Sequence, residues 1–276
     1  MKDQFVIAQI SDLHIKAHGK LSYKKVDTLH AFKRCIEHLN QLSPAPDLVA
    51  ITGDLTDFGR SDEYKAFTDA IASLNLPWVA IAGNHDDREN LRVAYKNQPW
   101  QPEQGTFFNW VISDLPIQII GLDSTVPNKP WGEFCKDQQE WLEQTLSLHP
   151  HKPTIILLHH HPFLSGIGHM DQQNLRGIER LECTLKKHPQ VQRILCGHLH
   201  RFITTTLAGI TVCSAPGTSH QVAPDFRLDA PAHFSLEPAG MLLHRWNIKH
   251  GFTTHYLNLG TPEATYPFYD ENGLID

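Results

Sequence analysis

Short runs of branched aliphatic residues recur through the first two hundred positions, and most of them end in a side chain able to hold a metal ion. That coupling of strand and ligand constrains the fold more than any other feature. The runs lie at 5–11, 47–52, 78–82, 117–123, 154–159 and 191–196. Each is rich in Val and Ile and closes on a polar or glycine cluster, as strands do. Their near-continuous apolar character predicts burial on both faces. Between them, 26–41, 62–74, 137–148 and 174–187 carry helical periodicity. Val26, Leu29, Phe32, Ile36 and Leu39 fall on one stripe; Tyr64, Phe67, Ile71 and Leu74 fall on another, behind an N-cap at Ser61. Strands alternating with helices predict an α/β core over 1–200. Beyond His200 the helices stop. Runs at 202–207, 210–214, 232–236, 241–247 and 253–257 read as strands, with hairpin turns at Ala208-Gly209 and Pro238-Ala239-Gly240. Segment 221–230 reads as a loop. The expectation is a single domain over 1–276, in which 201–276 is an antiparallel part that completes a second sheet. That part is also the candidate for a lid or for contacts in a homo-oligomer, because its edge strands need cover.

Binding crevices in α/β sheets open at the carboxyl ends of strands, and the candidate ligands cluster there. Asp12 and His14, two apart, share a face if the strand stays extended. Gly53 permits a tight turn from which Asp54 offers one oxygen to each of two metals. Asn84 adds a neutral amide oxygen. His85 stands beside the metals without binding one, able to stabilise charge on phosphorus or to protonate a leaving alkoxide. Asp86 is expected to orient His85, and Asp57 to support its loop. In His159-His160-His161 adjacent rings point to opposite faces. His160 is the expected ligand, and its neighbours are expected to be structural. His198 and His200 serve two different metals if their turn splays them. Taken singly these residues have plain structural readings, since Gly-Asp and Asn-His pairs commonly form turns. Taken together, seven ligands are too many for one small cation and suit two that share a bridge, an arrangement that points to phosphate-ester hydrolysis. Asp, Asn and His ligands accept Fe, Mn, Co or Zn.

The formal net charge of −6 argues against a general nucleic-acid binder, which needs a basic stripe. It leaves a phosphate substrate open, because bound cations reverse the local field. Hydrophobic content of 41% supports a packed core rather than disorder. Five cysteines without CxxC spacing read as reduced thiols. No apolar run approaches a membrane span, and the first residues lack the pattern of a signal peptide. Cytoplasmic residence is the resulting expectation.

In order and spacing, Asp12-x-His14, Gly53-Asp54, Gly83-Asn84-His85-Asp86, His160 and Gly197-His198-x-His200 resemble the signature of the calcineurin-like metallophosphoesterases. The resemblance is greatest to the class III cyclic-nucleotide phosphodiesterases, and within them to the bacterial glycerophosphodiesterase branch. GRSDEY at 59–64, the Leu122-Asp123-Ser124 strand end, GHMD at 168–171, PGTSHQV at 216–222 and FYDENG at 268–273 extend it along the chain. The chain departs from the Ser/Thr protein phosphatases at Asp57-Phe58-Gly59-Arg60, where those enzymes carry Asp-Arg-Gly. The resemblance implies a four-layer αββα sandwich. It implies one metal held by Asp12, His14, Asp54 and His200, and another by Asp54, Asn84, His160 and His198. It implies hydrolysis of small phosphodiesters by in-line attack of a metal-bridging hydroxide, with Asp54 and His85 catalytic. Asn84, His85, Tyr23, Ser124 and His220 are the implied substrate contacts, and Trp131 and Phe226 are further aromatic candidates for stacking on a base. The alternatives are another phosphoesterase on the same site (a monoesterase, nucleotide pyrophosphatase or nuclease) and a non-catalytic scaffold.

Overall fold

A computed structural model describes residues 3–102, 104–227, 229–260, 266–271 and 273–274. Its strands are β1 Gln4–Ile10, β2 Leu48–Ile51, β3 Trp78–Ala80, β4 Trp110–Ile112, β5 Gln118–Leu122, β6 Gly132–Glu133, β7 Thr154–Leu158, β8 Leu175–Arg176, β9 Val191–Cys196, β10 Ile203–Leu207, β11 Ile210–Ser214, β12 Gln221–Val222, β13 Phe234–Ser235, β14 Gly240–Asn247, β15 Gly251–Asn258, β16 Tyr269–Asp270 and β17 Gly273–Leu274. Its helices are α1 Thr28–Gln41, α2 Ser61–Ile71, α3 Arg88–Ala94, α4 Lys136–Ser147, α5 Gly168–Asp171 and α6 Ile178–Lys187.

Two sheets dominate. One runs β15-β14-β1-β2-β3, the other β10-β11-β9-β7-β5-β4. In the first, β1, β2 and β3 are parallel, and β14 lies antiparallel beside β1. In the second, β5, β7, β9 and β11 are parallel, and β4 and β10 close the edges antiparallel. Side-chain alternation along the second sheet sorts its two faces. Ile119, Ile155, Leu157, Leu195 and Cys213 join the core shared with the first sheet. Ile120, Leu122, Ile156, Leu158, Ile194 and Val212 pack with Leu142 and Leu146 of α4 and Leu181 and Leu185 of α6. On the far side, Phe32, Ile36 and Leu39 of α1 and Tyr64, Phe67 and Ile71 of α2 cover the first sheet. The layers are therefore helix, sheet, sheet, helix, an αββα sandwich.

Several expectations are corrected. The C-terminal strands do not extend one sheet: β10 and β11 join the second, while β14 and β15 join the first. Strand β11 also runs parallel to β9, so the region is not wholly antiparallel. Pro238-Ala239-Gly240 links β13 to β14, which pair with different strands, so it closes no hairpin. Run 232–236 shrinks to the two residues of β13. The helix expected over 174–187 starts only at Ile178, because Leu175–Arg176 pair with Gly132–Glu133 and Gly177, at φ +83°, turns the chain. Arg60, not Ser61, caps α2. The loop expected over 221–230 begins with strand β12, Gln221–Val222, paired with β13; Leu228 within it and Asn272 of FYDENG lie outside the described residues.

Candidate metal centre

The carboxyl ends of β1, β2 and β3 meet those of β7 and β9 at one edge of the sandwich. The chain beyond each end does not stay extended. Asp12, His14, Asp54, His198 and His200 all adopt positive φ, between 46° and 67°. For side chains with a Cβ this region costs on the order of 1–2 kcal/mol each, and it concentrates where function constrains geometry. Asp12 and His14 therefore converge through left-handed turns, not by sharing the face of a strand. Glycines make the room: a Cβ on Gly53 would overlap the His159 ring, and one on Gly83 would overlap the Asp54 carboxylate.

Asp54 lies at the middle. Its Oδ2 is 3.5 Å from His14 Nε2 and 3.5 Å from His159 Nε2. Its Oδ1 accepts from the His85 backbone N–H at 2.9 Å. On one side, His14 Nε2 is 3.0 Å from His200 Nε2, and His200 Nε2 is 3.5 Å from Asp12 Oδ1. On the other, His159 Nε2 is 3.1 Å from Asn84 Oδ1. Ligand atoms of Asp12, His14, Asp54 and His200 lie within 4.8 Å of one another, as do ring nitrogens of His159, His160 and His198.

Hydrogen bonds on the far nitrogens fix what faces inward. His159 Nδ1 meets the Thr52 carbonyl at 2.7 Å and His200 Nδ1 meets the His220 carbonyl at 3.2 Å, so both carry their proton there. His14 Nδ1 faces Asp57 Oδ1 at 3.3 Å. In the neutral rings the inward Nε2 atoms then present lone pairs, to each other and to carboxylate and amide oxygens. Acceptors packed face to face repel unless a cation lies between them. Separations of 3.0–3.5 Å also suit the edges of a coordination shell with bonds of about 2.1 Å. The residues fit a metal pair.

Protonation follows the same logic. Burial raises the Asp12 carboxyl to about 6. Burial would raise Asp54 too, but His159, His85 and His14 hold it well below the usual carboxylate range. Burial opposes charge on His159, yet without an ion the Asp54 carboxylate raises that ring to about 9; a metal held at Nε2 would take the place of that proton. His198 and His200 are pushed well down, by burial and by neighbouring histidines, and so stay neutral as ligation requires.

Three roles differ from the sequence expectation. His159, not His160, turns into the centre. The inward residues of β7 are Ile155 and Leu157, and the same parity brings His159 inward. His160 lies on the other face of the strand end, with Nδ1 2.7 Å from Ser124 Oγ, while its ring stays beside His159 and His198. Ser124 is fully buried beneath that ring and does not face the cleft. Asp86 does not touch His85. Its carboxylate accepts from the backbone of Gly83, Leu55 and Thr56 and from the Tyr64 hydroxyl, so it pins the loop. The His85 ring is oriented by the Asp57 carbonyl, which accepts from Nδ1 at 2.8 Å. Asp57 thus supports both His14 and His85, and pairs with Lys16 at 2.9 Å.

A cavity of about 250 Å³ opens over the centre, lined by Tyr23, His85, His220, Met170 and Phe234 among others. Tyr23 stacks on Phe234 at 4.9 Å and meets His220 edge-on at 5.3 Å. Met170 lies in the GHMD stretch and Phe234 in the run 232–236, but the sequence assigned neither a place at the site. Trp131, covered by the Arg176 guanidinium at 3.3 Å, and Phe226, against Gly166, lie outside this cavity.

The chain is 46% identical over 273 residues to a probable glycerophosphodiester phosphodiesterase, GpdQ, of Arcobacter nitrofigilis, covering 98% of this chain and 100% of that protein. It is 34% identical to the 3′,5′-cyclic adenosine monophosphate phosphodiesterase CpdA of Escherichia coli K12, over 84% of each chain. Among solved structures, a dimetal phosphatase from Danio rerio superposes with a TM-score of 0.63 at 13% identity, covering 93% of this chain and 99% of that one, which speaks for the fold alone. The calcineurin-like phosphoesterase pattern matches residues 5–202. That span runs from β1 past His200 and takes in every residue of the cluster, so the chain belongs to the calcineurin-like phosphoesterase family.

Proposed function

We propose that this centre hydrolyses small phosphodiesters, with glycerophosphodiesters and 3′,5′-cyclic nucleotides as the substrate classes, on two metal ions. Asp12, His14, Asp54 and His200 hold one ion. Asp54, Asn84, His159 and His198 hold the other. The observation that carries this reading is the single oxygen of Asp54 that lies 3.5 Å from both His14 and His159, as a bridging ligand would. When bound, a pair of divalent cations supplies a water that ionises near neutral pH and a clamp for phosphate oxygens. The chain supplies the rest. His85, fixed through Nδ1, presents Nε2 to the reacting phosphate and, protonated there, donates to the leaving oxygen. Asn84 and His220 flank the phosphate, and Tyr23 with Phe234 forms a shelf for an ester substituent. A diester suits such an acid better than a monoester, because its leaving alkoxide needs the proton. The whole chain forms one domain. All five cysteines are free thiols, which supports a reducing, cytoplasmic location. No helix among the described residues is long and apolar enough to cross a membrane. Association of copies through the C-terminal strands is part of the proposal.

The test is hydrolysis of bis(p-nitrophenyl) phosphate by purified protein with Mn or Co. Asp54→Ala should lose more than the roughly 10- to 100-fold that follows removal of a residue supporting a ligand. Wild-type turnover by that variant, or none by the native chain, refutes the reading. A p-nitrophenyl phosphate rate above the diester rate would make the protein a monoesterase.

A further inference from the structure

A second cavity, of about 400 Å³, opens on the other side of His85. It shares only Asn84 and His85 with the first. Both are among the residues assigned to the reacting phosphate, so the phosphate stands at a threshold between two chambers. A phosphodiester carries two ester arms, and two chambers meeting at the phosphate match that topology.

The chambers differ in chemistry. The first has an aromatic shelf in Tyr23 and Phe234, with Met170 behind it. The second is lined by Thr106, Thr125 and Asn128 together with Phe58, Val126 and Pro127, and by the acidic Asp87 and Glu89. Its one cationic lining side chain, Arg88, is already engaged. Arg88 Nε lies 2.6 Å from Asp123 Oδ2 and its Nη2 donates to the Thr125 carbonyl at 2.6 Å. Asp123 is fully buried, so this pair neutralises the Arg88 charge. What remains is a mixed surface, with the Thr106 hydroxyl and Asn128 amide beside Phe58, Val126 and Pro127, and an acidic edge. Such a surface hydrogen-bonds an alcohol or attracts an ammonium, and it repels a second anion.

We propose that the second cavity receives one arm of an acyclic phosphodiester, a small polar alcohol that is neutral or cationic, while the first cavity takes the other arm. This rests on the phosphodiesterase reading above. A cyclic diester closes both ester oxygens onto one sugar and occupies one chamber. Acyclic substrates with a hydroxyl- or ammonium-bearing arm therefore gain contacts that cyclic ones do not. An arm bearing its own phosphate is disfavoured by Asp87 and Glu89.

Val126 and Thr106 line the second cavity on surface loops, where a larger side chain obstructs the space without entering the core. The experiment compares glycerophosphoethanolamine with 3′,5′-cyclic AMP on Mn-loaded wild type, Val126→Trp and Thr106→Trp. The expected result is a KM for the acyclic substrate that rises about tenfold more than that for the cyclic one in both variants. Equal shifts for the two substrates, no shift at all, or a wild type that cleaves only the cyclic compound overturns the proposal. So does comparable kcat/KM on a nucleotide pyrophosphate. If the wild type cleaves neither diester, the phosphodiesterase reading fails by itself. The cavity is then judged by calorimetry with sn-glycerol 3-phosphate: weaker binding in Val126→Trp supports it, and unchanged binding sinks it.

Discussion

The three consecutive histidines divide the work of the centre in a way that mutation can separate. His159 presents Nε2 to Asp54 and Asn84, while His160 faces Ser124. His159→Ala should lower bound metal from two ions per chain to about one, and should cut diester turnover by more than about 100-fold. His160→Gln should keep both ions, measured by mass spectrometry of trace metals on the dialysed protein. Loss of an ion from His160→Gln with retention in His159→Ala would restore the assignment read from the sequence. Asp57 offers a second check, because it faces His14 Nδ1 without standing among the ligands. Asp57→Asn keeps the size of the side chain and removes its charge. Manganese affinity should fall about 10- to 100-fold, and an unchanged titration curve would remove Asp57 from the support of His14. The convergence of Asp12, His14, Asp54, Asn84, His198 and His200 on one edge was legible in the sequence because each follows a recognisable strand. His159 was not, because the choice within HHH depends on which face of β7 meets the other sheet. Parity along TIILL carries that information, but only once Ile155 and Leu157 are known to point inward.

Secondary structure was most readable where a strand is buried on both faces. Run 191–196 coincides with β9, and 210–214 with β11. It was least readable where pairing partners decide the outcome. Residues 174–177 carry helical periodicity, yet Leu175 and Arg176 pair with Gly132 and Glu133, a contact between segments far apart in sequence. Helix α3 and strand β4 went unread, since seven and three residues are too short to establish a period. Strand β4 nonetheless makes a tie between the sheets. Its Trp110 donates from Nε1 to the Ala80 carbonyl of β3 at 2.9 Å. The indole lies over Gly121 of β5, its register partner. That explains a glycine inside the apolar run QIIGL, because a Cβ there would overlap the ring. Gly121→Ala should cost about 1–3 kcal/mol, the range for overpacking a core, read as a shift in urea midpoint at constant slope. Combining it with Trp110→Leu should cost less than the sum of the two single changes. Strict additivity would mean that the indole and Gly121 do not constrain each other.

At the level of the molecule, the centre is a cross-link. Asp12, His14, Asp54 and Asn84 extend from the first sheet, and His159, His198 and His200 extend from the second. The apolar core between the sheets holds their bodies together, but at this edge the inner faces present carboxylates and imidazoles. Cations that bind the folded arrangement and not the unfolded chain stabilise it by mass action. At a free metal concentration a thousandfold above Kd, one site contributes about 4 kcal/mol. For a chain of this size that amounts to a rise in Tm of roughly 8 °C or more. Stripping the protein with chelator should therefore lower Tm by that order, and manganese should restore it. Asp54→Ala, lacking the bridge, should show little response to either treatment. Hydrogen exchange should localise the effect. On stripping, protection should fall in 11–15, 52–57, 83–87, 159–161 and 197–200, while β1, β7 and β9 keep theirs, because their bodies are held by the hydrophobic layers and not by the ions. Uniform loss of protection along those strands would mean that the metals sustain the whole sandwich. A Tm indifferent to chelator in the native protein would mean that no ion ties the sheets together.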